Sequence, residues 1–236
     1  MHIPDGILPA AAIAGGYVAT GVLTWYSVRK VNRLENPQAE IPKVALLTAA
    51  FFVGSIIHIP IPPTSVHLLL SGLMGALLGW FAVPAIVIGL VLQAIMFGHG
   101  GITTIGVNAL VLGVPALLAH FLFQMIKGDG SSRWRLISAG SLAGGVGVGV
   151  TVLIFFGLLI NFLPADLIDP AAERRAITTL ALAHLPLLLV EGAMTGMLIG
   201  YLARVKPELI GVTRDKVALH NVTTPITGQF SEASGD

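Results

Sequence analysis

The sequence contains no cysteine, which excludes disulfides and thiolate metal sites and leaves nitrogen and oxygen as the side-chain donors open to a transition metal. Charge is scarce as well. Asp, Glu, Lys and Arg together make up 11% of the 236 residues against 55% hydrophobic ones, where soluble domains carry about 25% charge. From residue 44 to residue 126 none of those four occurs. At about 20 residues per span, that stretch has room for up to four membrane-crossing helices, and a soluble domain is excluded there. A net charge of +1, with no basic block and no aromatic platform, excludes a nucleic-acid binder. The Gly-x-x-x-x-Gly-Lys-Ser/Thr pattern does not occur, so the chain does not hydrolyse ATP. His-Glu-x-x-His is also missing, which removes the obvious membrane metalloprotease. With no acid/base constellation in view, an enzyme is not expected. No Lys or Arg precedes the first apolar run, which is too long for a signal-peptide core and reads as uncleaved.

What remains is a succession of apolar runs separated by short polar segments. The expected spans are 7–28, 44–57, one from residue 65 or 66 to Trp80, 82–97, 103–126, 136–163 and 176–203. The fold class is therefore an all-α integral membrane protein, a bundle of about seven transmembrane helices. Residues 1–205 form its transmembrane metal-binding domain, followed by a polar cytoplasmic tail over 206–236. Between the second and third spans, His58-Ile-Pro-Ile-Pro-Pro-Thr-Ser65 carries three prolines that forbid a helix and favour an extended loop. Seven spans put the termini on opposite faces. Placing the amino terminus outside assigns 11 of the 13 basic residues to the cytoplasm, as the positive-inside rule requires, and makes the carboxyl terminus cytoplasmic.

The first nine residues, Met1 to Pro9, have the makings of a chelator. A free amine on Met1, the amide nitrogen of His2 and the His2 imidazole Nδ1 would close a five- and a six-membered ring on one metal ion. Such a planar nitrogen set suits Ni(II), Cu(II) and low-spin Co(II). Pro4 turns the chain away, and Asp5-Gly6 is placed to cap the helix that follows. A fourth in-plane donor must come from elsewhere. In the expected topology His58, His67 and His99 share the outer face with Met1, and His184 lies two turns into the last span on that side. His67 is favoured, because it is expected in the first turn of a helix. His58 and His99 are open as donors or as interfacial and loop-stabilising side chains.

Several stretches together resemble a known family: Met-His-Ile-Pro-Asp-Gly-Ile-Leu at the start, Pro-Thr-Ser-Val-His67, Phe97-Gly-His-Gly-Gly-Ile-Thr-Thr104 with Asn108, and His184-Leu-Pro-Leu with Glu191-Gly192. The sequence is similar to the cobalt/nickel substrate-capture subunits of energy-coupling factor transporters, the CbiM/NikM family, over nearly all of residues 1–205. The resemblance implies a square-planar site made by the Met1 amine, the His2 amide and imidazole, and the imidazole of His67. It implies Ni(II) or Co(II) as transported substrate with no organic cofactor. The partners it implies are a transmembrane coupling subunit and ABC-type ATPase subunits in a prokaryotic plasma membrane. The family's added small membrane subunit is not fused here and is a candidate separate partner. Ala45-Leu-Leu-Thr-Ala49 resembles the alanine motif by which related subunits dock onto coupling helices.

Other small residues four apart, such as Gly140 and Gly144 or Gly192, Gly196 and Gly200, are expected to let helices approach within the bundle. Glu191, the one Asp, Glu, Lys or Arg within the last span, is open as a functional carboxylate or as a buried hydrogen-bond partner of a group such as Asn108. Gln93, Thr104 and Asn108 are candidates to orient the ligating imidazoles. The expected function is capture of Ni(II) or Co(II) for an ATP-driven importer. The alternative is a stand-alone secondary transporter or channel for divalent metals, a class that usually places several ionisable groups along a midplane path.

Overall fold

Proline and glycine decide where this chain breaks its helices. The computed structural model describes residues 2–61, 64–162 and 170–212, with the backbone alone for 58–61, 64–66, 170–171 and 173–174. Met1, the tail beyond residue 212, the end of the expected sixth span at residue 163 and the side chain of His58 lie outside the described residues. The helices are α1 (Ala10–Val31), α2 (Ile41–Gly54), α3 (Ser71–Leu78), α4 (Ala82–Phe97), α5 (Ile105–Lys127), α6 (Arg133–Asn161), α7 (Pro170–Ala183) and α8 (Leu185–Val205). A short antiparallel ladder of β1 (His58–Ile61) and β2 (Thr64–His67) separates α2 from α3.

Four helical stretches are long and apolar enough to cross a membrane: Ser71–Phe97, Ile105–Lys127, Arg133–Asn161 and Arg175–Val205. The first is not a single straight crossing. A straight helix of 27 residues would be about 40 Å long at 1.5 Å per residue, yet the His67 and His99 rings that flank it are 5.1 Å apart. The chain doubles back at Gly79–Phe81, where Gly79 takes φ 57° and ψ −125°, a conformation open to a residue without a Cβ. All of Ser71–Leu78 is buried, and at about 12 Å α3 is a half-helix whose amino end starts deep.

Three expectations are corrected here. His67 is not in a helix: it closes β2, paired with His58, because the β-branched Thr64 and Val66 suit a ladder and Leu70 adopts left-handed φ 54° before α3 begins. The last span is not one helix either. His184 separates α7 from α8, and Pro186 at the start of α8 has no N–H to continue the α7 ladder. Asp5 does not cap α1, whose N-cap is Pro9 without a side-chain bond. The start of the expected tail also docks onto the bundle. Ile210 and Val212 are buried, and the Lys43 and Lys127 ammonium groups donate to the carbonyls of Leu209 and Ile210, each at 3.4 Å.

Helices α6 and α8 pack through small residues, as the spacing predicts. A Cβ on Gly192 would lie 2.9 Å from the Ser141 carbonyl oxygen, and one on Gly144 would lie 2.8 Å from that of Glu191, so the backbones touch. Gly157, on the same α6, has nothing within 4 Å. Gly192→Val is expected to lower thermal stability in detergent by about 1 to 3 kcal/mol, the usual range for overpacking. Gly157→Val should leave the melting temperature near the native value. Equal melting of the two variants would contradict this packing.

Candidate metal centre

Before α1 the chain runs inward instead of along the surface. Ile3 is wholly buried and Leu8 nearly so, and this anchors a non-helical segment whose backbone needs partners. Asn108 of α5 supplies them as a peptide mimic. Its Oδ1 accepts from the Ile3 N–H at 2.8 Å and its Nδ2 donates to the Ile3 carbonyl at 3.0 Å. The Thr104 hydroxyl donates to the same carbonyl at 2.6 Å. Two residues on, the Asp5 carboxylate accepts from the N–H groups of Ile102 and Thr103 at 3.1 and 3.0 Å, and from the Thr103 hydroxyl. The hydroxyl bond, with those backbone bonds, holds the Asp5 carboxyl below its ordinary range. Gly101 permits this contact, since a Cβ there would run into Asp5.

This double anchor sets His2 beside two other histidines. The His2 ring stacks on that of His67, with centroids 5.1 Å apart and planes at 12°. Its Nδ1 lies 3.0 Å from His99 Nε2. One donor nitrogen from each of His2, His67 and His99 falls within 4.8 Å of the others, a grouping able to hold a metal ion. His67 Nδ1 is 3.0 Å from the Leu68 carbonyl. A carbonyl only accepts, so Nδ1 carries the proton and Nε2 is the basic, metal-donating nitrogen. Burial, reinforced by His99, pushes the pKa of His2 down to about 3, and burial also lowers that of His67. Neutral imidazoles are the form that ligates.

The segment after His67 is fixed from α8. The Glu191 carboxylate accepts from the Leu69 N–H through one oxygen and from the Leu70 N–H at 2.8 Å through the other. It serves backbone donors that the turn into α3 would otherwise leave buried and unpaired. The expected partnership with Asn108 is corrected accordingly. Thr104 and Asn108 hold the amino-terminal segment and not an imidazole directly. Gln93 is wholly buried, its amide has no hydrogen-bond partner among the described residues, and its backbone carbonyl accepts from the His99 N–H at 3.2 Å. His184 is buried, with Nδ1 donating to the Leu180 carbonyl at 2.7 Å. On α2, Ala45 and Ala49 are exposed along with Leu46 and Val53. Sequence reasoning missed the bond from Asp5 to the 102–103 turn. The signal was there in Gly100-Gly101, two consecutive residues without side chains beside a place where a second backbone could lie.

The profile of a family described as the cobalt uptake substrate-specific transmembrane region, CbiM, matches residues 2–209. The chain belongs to the CbiM family. It is 33% identical over 217 residues to a putative metal transport protein of Haemophilus influenzae, covering 91% of this chain and 99% of that one. It is 37% identical over 230 residues to a fused nickel transport protein, NikMN, of Rhodobacter capsulatus, covering 92% of this chain but 66% of that longer one. A putative cobalt transport protein of Methanocorpusculum labreanum is 31% identical over 218 residues, covering 89% and 92% of the two chains. A crystal structure of a transition metal transporter superposes with a TM-score of 0.71 at 26% identity, covering 97% of this chain and all of that one. As a CbiM protein the chain is a multi-pass membrane component of metal transport and not an enzyme.

Because the folded pKa of His2 lies below imidazole's ordinary 6.5, anchoring of the segment is complete above about pH 6.5. It weakens as pH falls from there toward about 3, where the folded form also protonates. Imidazole 15N NMR of the native protein at about pH 5 should show a neutral His2 ring. In Asn108→Ala, which strips two backbone bonds worth roughly 1 to 3 kcal/mol, the His2 titration should move up toward 6.5. A His2 ring already protonated at about pH 5 in the native protein would contradict the burial.

Proposed function

We propose that this CbiM protein is the substrate-capture subunit of an ATP-driven importer for Ni(II) and/or Co(II). The ion is taken into a planar site of four nitrogens: the Met1 amine, the His2 amide, the His2 imidazole and the His67 imidazole. The observation that carries the reading is the anchoring of Ile3 by Asn108, which sets the residue before it against His67. A backbone gripped at Ile3 holds the ring of His2 against a second imidazole, so little ordering remains for the ion to impose. The relatives named for nickel and for cobalt transport support both ions as substrates. Deprotonation of the amide makes binding weaken as pH falls.

On this reading the chain runs from an outer amino terminus to a cytoplasmic carboxyl terminus, and α3, the third of the seven expected segments, enters only part-way. A coupling membrane subunit docks on the exposed Ala45 and Ala49 face of α2, where small side chains admit a close backbone, and separate ATPase subunits drive transport. A small accessory membrane subunit is a further candidate partner. Undiminished uptake by the chain alone, without coupling and ATPase subunits, would favour a stand-alone transporter instead.

The grouping of His2, His67 and His99 supports a second reading, a three-histidine site that does not use Met1. Adding one residue before Met1 separates the two. In the four-nitrogen site the amine moves away and the five-membered ring is lost, so nickel affinity measured by calorimetry should drop by on the order of a hundredfold or more, about 3 kcal/mol. His99→Ala should cost less than His2→Ala or His67→Ala. An extended protein that binds as tightly as the native one, with His99→Ala as damaging as His67→Ala, would establish the three-histidine site.

A further inference from the structure

The carboxyl end of α1 carries cations that the metal site does not use. Arg29 and Arg33 are exposed, and Lys30 is half-buried. Among the described residues none of the three makes an ion pair, whereas Lys43 pairs with Glu40. Aromatic faces hold two of them instead. The Arg29 guanidinium lies 5.4 Å from the Trp25 ring centre, and the Lys30 ammonium lies 5.4 Å from that of Tyr26 and 5.8 Å from that of Trp80. Tyr26, Trp80 and Phe121 continue as an edge-to-face row. A groove opens between Trp25, Val28, Arg29, Asn32 and Arg33.

The face that leads into this groove is graded. Val18, Val22 and Trp25 are each at least 60% exposed, and with Arg29 they fall at intervals of four, three and four residues, one side of α1, with Arg33 in the turn just past its end. The order along that side is aliphatic, aromatic, cationic. From Val18 to Arg29 the rise is about 16 Å, close to the depth of one leaflet's hydrocarbon, half of roughly 30 Å. Trp25 and Tyr26 then sit where interfacial aromatics gather, with two guanidinium groups just beyond, able to take phosphate oxygens in a forked pair.

We propose that this face binds one anionic glycerophospholipid, with its phosphate between Arg29 and Arg33 and an acyl chain along Trp25, Val22 and Val18. The assignment rests on the reading that α1 crosses the bilayer, which it shares with the proposed transport function, but it is independent of the metal ligands. Charge complementarity favours the lipid, since Arg29 and Arg33 line a groove with Trp25 and Val28 and neither pairs with a carboxylate among the described residues.

The test is native mass spectrometry of the full chain released from mixed phosphatidylglycerol and phosphatidylcholine nanodiscs. The native protein should retain phosphatidylglycerol in preference to phosphatidylcholine. Arg29→Gln/Arg33→Gln should lower that retention by roughly tenfold or more, whereas Arg204→Gln/Lys206→Gln, which removes the same charge at another exposed site, should retain it like the native chain. Nickel binding, measured on the same samples, should be equal in all three, which certifies the fold and separates failure here from failure of the metal reading. Equal retention of the two lipids by the native chain would overturn the proposal. So would equal loss in both double variants, or no loss in Arg29→Gln/Arg33→Gln, which would leave the cations to topology or to an acidic protein partner.

Discussion

Two hydrogen bonds between the Asn108 carboxamide and the backbone of Ile3 hold the amino-terminal segment inside the bundle, and the candidate centre depends on them. A chain end ordinarily frays, because ordering each residue costs about 1 to 2 kcal/mol. Here the cost is offset by the burial of Ile3 and Leu8, the peptide-like grip of Asn108 and the Asp5 carboxylate on the turn before α5. Once that segment is in place, the position of His2 follows from chain geometry.

His67 reaches the same point by a different route. It ends a β-ladder that precedes a half-helix, and the backbone after it would leave two N–H groups unpaired where Leu69 and Leu70 are buried. Glu191 answers both. A carboxylate inside a membrane bundle is commonly a sign of transport chemistry, but here its hydrogen bonds are structural, tying the His67 segment to α8. The centre therefore draws on α4, α5 and α8 at once, although its donors come from the non-helical segments between them. Rigid helices position the loops that carry the chemistry.

Much of this was legible in the sequence. The absence of charge from residue 44 to residue 126 marks the membrane, the small-residue spacing marks close helix packing without saying which helices meet, and the resemblance names the family. His2 and His67 were identified as a pair, while His99 stood only as an open candidate. What was not legible was long-range and polar. The assignment of Glu191 to the Leu69 and Leu70 N–H groups depends on a left-handed Leu70, which apolar periodicity does not reveal, since Leu70 reads as one more helical leucine. The same conformation explains why His67 was expected on a helix. The role of Asp5 was misplaced because a carboxylate before a helix suggests a cap for that helix, whereas Gly6, at φ 87°, turns the chain and aims the carboxylate at the loop before α5.

On the proposed reading a backbone amide and a free chain end, and not side chains alone, hold the transported ion. The most direct measurement is the visible spectrum and magnetic susceptibility of the full chain loaded with one equivalent of Ni(II). Four nitrogens in a plane, one of them a deprotonated amide, predict a yellow, diamagnetic ion. A paramagnetic ion with the pale spectrum of octahedral nickel would mean that imidazoles and water complete the site, and would contradict it.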